Sequence, residues 1–166
     1  MSQRETDSLG GENKKGAQAV RRSAINMLAR REHSSQELRR KLGSKGFDDA
    51  DVDEALAGLR QDRLQSDERF IESLVRSRIG KGCGPLRIQA ELRERGIAEE
   101  LIAQAMDVDA GAWRERIEEV RRKRFGVARP GDMNERARQM RFLQYRGFTT
   151  EQIRSAMRRA GDDVSD

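Results

Sequence analysis

A glycine followed by a large apolar residue occurs three times at near-constant spacing, at Gly46-Phe47, Gly96-Ile97 and Gly147-Phe148, steps of 50 and 51 residues. The surroundings repeat as well. A leucine lies four residues before each glycine (Leu42, Leu92, Leu143), and a basic residue stands directly before it (Lys45, Arg95, Arg146). A β-branched aliphatic lies six residues after it (Val52, Ile102, Ile153) and an alanine nine after (Ala55, Ala105, Ala156). Glycine just past a helix adopts positive φ and turns the chain back. The apolar residue behind it packs on the last helical turn, and the basic residue complements the negative helix end. Acidic or hydroxyl residues then open the next helix: Asp48-Asp49, Glu99-Glu100 and Thr149-Thr150. The middle copy has Ala98 where the others offer Asp48 or Thr149, so its cap is weaker.

Between these turns the apolar residues follow a 3.6-residue period, which predicts three helices per repeat. In the first repeat the stripes are Val20, Ala24, Met27 and Leu28; then Leu38 and Leu42 behind a capping box, Ser34-Ser35-Gln36-Glu37; then Val52, Ala55, Leu56 and Leu59. In the second they are Phe70, Ile71, Leu74, Val75 and Ile79; Ile88 and Leu92; Leu101, Ile102, Ala105 and Met106. The third has Trp113, Ile117 and Val120; Met140 and Leu143; Ile153, Ala156 and Met157. Gly80-Lys81-Gly82-Cys83-Gly84-Pro85 reads as a tight turn, with Pro85 suited to the first turn of the next helix. The predicted fold is all-α, an elongated array of three tandem three-helix repeats at residues 17–64, 65–108 and 109–160. A polar, Gly/Ser/Lys-rich stretch over residues 1–16 reads as a disordered arm, and residues 161–166 as a frayed tail. One repeat is too small to hold a core alone, so neighbours should stack.

The charge pattern narrows the function classes. Net charge is +5, from 34 basic and 29 acidic residues. Residues 107–160 carry 14 basic groups against 8 acidic, whereas residues 64–106 carry 7 of each, so the surplus sits in the last third. Arginine outnumbers lysine 28 to 6, and its planar fork suits paired contacts to carboxylates or phosphates. No apolar run is long enough to span a membrane and no signal peptide opens the chain. The single cysteine, Cys83, excludes an internal disulfide and suits a reducing cytoplasm. Cys83 has no Cys or His partner at metal spacing, and His33 is the only histidine, beside a helix boundary. No nucleophile–base set and no phosphate loop is present, so the expectation is a non-enzyme without metal, cofactor or small-molecule substrate.

Val75-Arg76-Ser77-Arg78, Gly80-Lys81-Gly82-Cys83-Gly84-Pro85, Glu91-Leu92 and Arg95-Gly96-Ile97 resemble the central signature of the RecX regulatory proteins of bacteria. Trp113, Arg124-Phe125-Gly126 and Arg141-Phe142-Leu143-Gln144-Tyr145-Arg146-Gly147-Phe148 are similar to that family's C-terminal block. Arg30-Arg31-Glu32-His33-Ser34 and Glu37-Leu38 are similar to its N-terminal block. The resemblance runs in order over about residues 20–160. It implies tandem three-helix repeats and a partner, the RecA recombinase, bound as its filament on single-stranded DNA. It also implies inhibition of that partner's recombination, ATP hydrolysis and co-protease activities. Where many such proteins carry an aromatic residue, this chain has Cys83.

Candidate contact residues follow from the charge pattern and the blocks together: Arg76, Arg78, Lys81 and Arg87 in the middle repeat, and Arg124, Arg138, Arg141 and Arg146 in the last. Arg31, Arg78 and Arg124 fall inside the apolar arc of the first helix of their repeat. The plainer reading is a stem covering the core edge with its head in water or on the helix dipole. The functional reading is a cation lining a groove for an acidic partner. Arg87 is placed to pair with Glu91 at i, i+4. Arg138, Arg141 and Tyr145 share one helix side, either an ordinary solvated face or a basic–aromatic contact surface. The alternative to a RecA-binding regulator is a helical protein that binds nucleic acid directly and competes for DNA.

Overall fold

The computed structural model describes residues 3–107 and 110–162, with side chains over 15–107 and 111–158. Nine helices and no strand are present among them. They are α1 (Gln3–Leu28), α2 (Ser35–Ser44), α3 (Asp49–Gln61), α4 (Asp67–Gly80), α5 (Pro85–Glu94), α6 (Glu99–Met106), α7 (Ala110–Phe125), α8 (Met133–Tyr145) and α9 (Thr150–Asp162). The three glycines of the repeat have φ of +84°, +74° and +91°, the left-handed conformation their place after a helix requires. At Gly46 the Phe47 amide donates to the Leu42 carbonyl (3.4 Å) and the Gly46 amide to the Gly43 carbonyl (2.9 Å). The same pair of bonds recurs at Gly147, from Phe148 to Leu143 and from Gly147 to Gln144. The repeated leucine and the apolar residue after the glycine are thus joined by backbone as well as by packing.

Two compact units divide the chain: Met1–Ile71 with Arg95–Ile97, and Glu72–Glu94 with Ala98–Asp166. In the first, α1 packs on α3 and both pack on α2. Their core is Val20, Ala24, Leu38, Leu42, Val52, Ala55, Leu56 and Leu59, with Met27, Leu28 and Phe47 partly covered. Helix α1 begins at Gln3, upstream of the Ala17 start expected from sequence, and so runs through most of the stretch read as an arm. No proline interrupts it. Ala17 is buried, and Gly16 lies so close to the Asp51 carboxylate that a Cβ there would collide with it. The frayed-tail reading falls partly on residues 163–166, outside the described residues; helix α9 itself reaches Asp162.

In the second unit, α7, α8 and α9 pack on one another and α5 packs on α6. Trp113, Ile117, Leu143, Phe148, Ile153, Ala156 and Met157 are buried, and the Trp113 ring stands edge-on to Phe148 with centroids 6.5 Å apart. Two sequence expectations shift here. Met140 is half-buried, and Gln139 is fully buried in α8 together with Leu143. Gln139 holds the position that Leu38 and Ile88 occupy in the other repeats. Arg121, eight residues after Trp113, is also buried, at 3% exposure.

A contact between a helix start and a glycine turn recurs between repeats. The turn before α5 lies against the Gly147 turn: the Gly84 amide donates to the Arg146 carbonyl (2.8 Å) and the Leu86 amide to the Gly147 carbonyl (2.9 Å). A Cβ on Gly84 would sit 2.5 Å from the Gly147 carbonyl carbon and the Phe148 nitrogen. Fifty residues earlier Ser34 Oγ donates to the Arg95 carbonyl (2.6 Å), and Gly96 lies against the side chain of Gln36. Free amides in the one case and a capping hydroxyl in the other thus join a helix start to the carbonyls of a glycine turn in the next repeat.

Candidate partner-binding surface

All eight sequence-predicted residues fall in the second unit, and the structure gives them unequal situations. Arg78, near the end of α4, is engaged internally. Its Nε and Nη2 donate to the two Glu91 oxygens at 2.5 and 2.6 Å, a bidentate pair that braces α4 to α5. That pair raises the Arg78 guanidinium further above its ordinary value. Glu91 is therefore taken by Arg78. Arg87 instead lies 5.7 Å from the centroid of Tyr145, which is 76% exposed. Arg76, Lys81, Arg124, Arg138 and Arg141 are exposed, and Arg146 is half-buried.

Three of the eight are organised by one aromatic pair. Phe125 closes α7 and Phe142 lies on α8; their rings meet edge-to-face, centroids 5.2 Å apart at 89°. Arg124 and Arg138 lie 5.7 and 5.4 Å from the Phe125 centroid, and Arg146 lies 5.1 Å from that of Phe142. Arg146 Nη1 also donates to the Lys81 carbonyl at 2.9 Å, which ties the α4–α5 turn to the end of α8. Each cation–ring contact is worth about 0.5–1 kcal/mol when exposed. Their larger effect is to hold flexible guanidinium groups in place before a partner arrives, which lowers the ordering cost of binding.

Beside this pair a cleft of about 390 Å³ opens between the α4–α5 turn, α7 and α8. Lys81, Arg124 and Arg146 line it, with Arg116 and Lys123, which sequence reasoning did not single out. The signal for Lys123 was present, because Arg122, Lys123 and Arg124 crowd the last turn of α7, where cations suit the helix dipole. The expectation of an arginine in each apolar arc needs correction. Arg124 is exposed, and Arg31 lies beyond the end of α1. The buried arginine of α7 is Arg121, eight residues after Trp113 as Arg78 is eight after Phe70. It binds Glu118 at 2.9 Å and donates to the Ala128 carbonyl at 3.3 Å, pinning the 126–132 loop.

The first unit uses its charges differently. Glu37 occupies the repeat position of Arg87 and Arg138, and it is 2% exposed. Ser34 Oγ accepts from the Glu37 amide at 3.1 Å, half of the expected capping box. The Glu37 carboxylate turns inward instead, to Arg31 (2.5 and 3.1 Å), Lys41 (3.2 Å) and Arg95 (2.9 Å). Burial alone would raise its pKa, but hydrogen bonds from Arg31 and Lys41 outweigh that and hold it at about 2. His33 is 3% exposed; Nδ1 meets the Arg31 carbonyl at 3.0 Å and Nε2 meets Lys41 Nζ at 3.2 Å. The neutral ring protonated on Nδ1 satisfies both, and burial lowers its pKa accordingly. These groups form a closed structural network. Among the described residues no His/Cys/Asp/Glu cluster has the makings of a metal site, and no helix is long and apolar enough to cross a membrane.

Fold and surface together define an all-α helical-repeat protein that presents ordered arginines. Models of three successive domains match the chain: RecX, first three-helix domain (residues 21–59), second (66–106) and third (114–157). A regulatory protein RecX of Halorhodospira halophila is 42% identical over 147 residues, covering 89% of this chain and 91% of that protein. One of Stenotrophomonas maltophilia is 39% identical over 163 residues, covering 98% and 100%. The crystal structure of RecX from Lactobacillus salivarius superposes with a TM-score of 0.77 at 19% identity, covering 89% of this chain and 97% of that one, a likeness of fold. The chain belongs to the RecX family of regulatory proteins.

Proposed function

We propose that this protein is a non-catalytic regulator that binds the RecA recombinase, as its filament on single-stranded DNA, and inhibits its recombinase, ATPase and co-protease activities. The family supports the regulatory role. The observation that carries the contact is the set of preordered cations on the second unit: Arg124, Arg138 and Arg146 on the Phe125–Phe142 pair. Arg76, Lys81, Arg87 and Arg141 add exposed charge, and Arg78 acts as the brace on Glu91. A surface of carboxylates and phosphates needs fixed cations, and arginine makes paired contacts where lysine makes one.

Direct nucleic-acid binding is the second reading, favoured by the exposed Tyr145 ring with Arg87 over it, a combination on which a base can stack. Capture of RecA on the immobilised protein, with and without single-stranded DNA and nucleotide, separates the two. Retention at salt that releases naked strand supports RecA recognition. Equal salt sensitivity of both contradicts it, because counterion release then accounts for all of the binding.

A further inference from the structure

The cleft of the second unit has a chemistry that the outer face of α8 lacks. Its floor is apolar, formed by Ile79, Cys83, Val120, Phe142 and Phe148. Its rim carries five cations, Lys81, Arg116, Lys123, Arg124 and Arg146, against the single acid Glu119. At about 390 Å³ it lies in the range of small-ligand pockets and accommodates an aromatic or branched side chain.

The walls are fixed by backbone. The Cys83 amide donates to the Arg78 carbonyl (3.0 Å) and the Gly82 amide to the Ile79 carbonyl (2.9 Å), closing α4 as the repeat glycines close theirs. Gly82 has φ +74°, and a Cβ there would approach Val120 Cγ2 at 3.1 Å, so the turn lies directly against α7. From the other side Gly84 is held on the Arg146 carbonyl. The small side chain of Cys83, 7% exposed, leaves the floor open where a larger one would rise into it.

We propose that this cleft takes an apolar anchor side chain presented by an acidic peptide segment of a partner protein. A bare phosphate or nucleic-acid backbone would use the rim and leave the floor wet. An uncharged apolar ligand would use the floor and gain nothing from five cations facing one carboxylate. A segment with one phenylalanine or leucine among aspartates and glutamates uses both. The inference names no particular partner and stands apart from the RecA reading.

The test is fluorescence anisotropy of a labelled short Asp/Glu peptide with one central Phe, titrated with the full chain. Saturable binding is expected, weakened roughly tenfold or more when the peptide carries Ser in place of Phe. It should weaken likewise with Lys123→Glu, a rim change, and with Val120→Trp, which fills the floor. Arg22→Glu/Arg40→Glu, exposed on the first unit, should leave it unchanged. Methyl NMR of the unmodified chain should show Ile79 and Val120 shifting with the Phe peptide. Equal binding of Phe and Ser peptides, equal loss in the Arg22/Arg40 variant, or an unperturbed Ile79 and Val120 would overturn the inference. Peptide binding by a chain that fails to inhibit RecA would uphold the cleft and remove the RecA reading; inhibition without peptide binding would do the reverse.

Discussion

At the residue scale two buried polar side chains separate the first repeat from the third. Gln139 is 0% exposed, and neither its Oε1 nor its Nε2 has a hydrogen-bond partner among the described residues. Leaving such groups unpaired costs about 1–3 kcal/mol. Gln139→Leu, matching Leu38 of the first repeat, should therefore stabilise the protein by about 1 kcal/mol or more, read as a higher denaturant midpoint with unchanged slope. A lower midpoint would mean that the amide is satisfied in solution. Glu37 is the opposite case, a buried carboxylate surrounded by cations. Its pKa is lowered from 4.5 to about 2, so its contribution is complete above the ordinary value and is lost as pH falls from there through about 2. Glu37→Gln should cost about 2 kcal/mol at neutral pH, less than a fully buried pair because Arg31 is half in water. The gap between variant and wild type should close across that acid window; a gap independent of pH would mean that packing, not charge, is responsible. Neither residue was legible in sequence. Periodicity placed Met140 in the core because glutamine reads as surface, and Glu37 matched a capping box whose local geometry competes with a tertiary partner, Arg95, that sequence does not place.

At the element scale the turns were the legible part. The three glycines have the positive φ that their spacing implied, and Asp48 and Thr149 cap their helices as expected. Thr149 and Gln152 form a full reciprocal box at 3.1 and 2.9 Å. Ala98 makes no side-chain cap bond, as its side chain dictates. The contact between the Gly84 and Gly147 turns was not legible, because it joins backbone segments more than sixty residues apart. It separates glycines that look alike in sequence. Gly84→Ala should destabilise by about 3 kcal/mol, since its Cβ meets backbone that has nowhere to move. Gly43→Ala, in α2 with nothing within 4 Å of a Cβ, should stabilise by about 0.5–1 kcal/mol. Thermal melts of the two variants check this; the same sign for both would refute the contact.

At the scale of the whole molecule the repeat signature foretold an all-α fold of three-helix repeats; the described residues form nine helices, and three three-helix family models match residues 21–59, 66–106 and 114–157. The predicted cations were found to be of three kinds, which composition could not distinguish: braced on a carboxylate (Arg78), ordered on aromatic rings (Arg124, Arg138, Arg146, Arg87) and exposed (Arg76, Lys81, Arg141). A charge-swap control must avoid Arg21, which binds Asp62 at 2.7 Å; Arg22 and Arg40 are exposed on the first unit and suit the purpose. The decisive measurement is RecA-dependent ATP hydrolysis on single-stranded DNA, titrated with wild type, Arg138→Glu/Arg141→Glu and Arg22→Glu/Arg40→Glu. Wild type and the Arg22/Arg40 variant should suppress hydrolysis at similar concentrations. The Arg138/Arg141 variant, with helicity intact, should need about tenfold more protein or more. Undiminished hydrolysis under a molar excess of wild type would contradict the account, and equal loss of inhibition in both variants would reduce the contact to net charge.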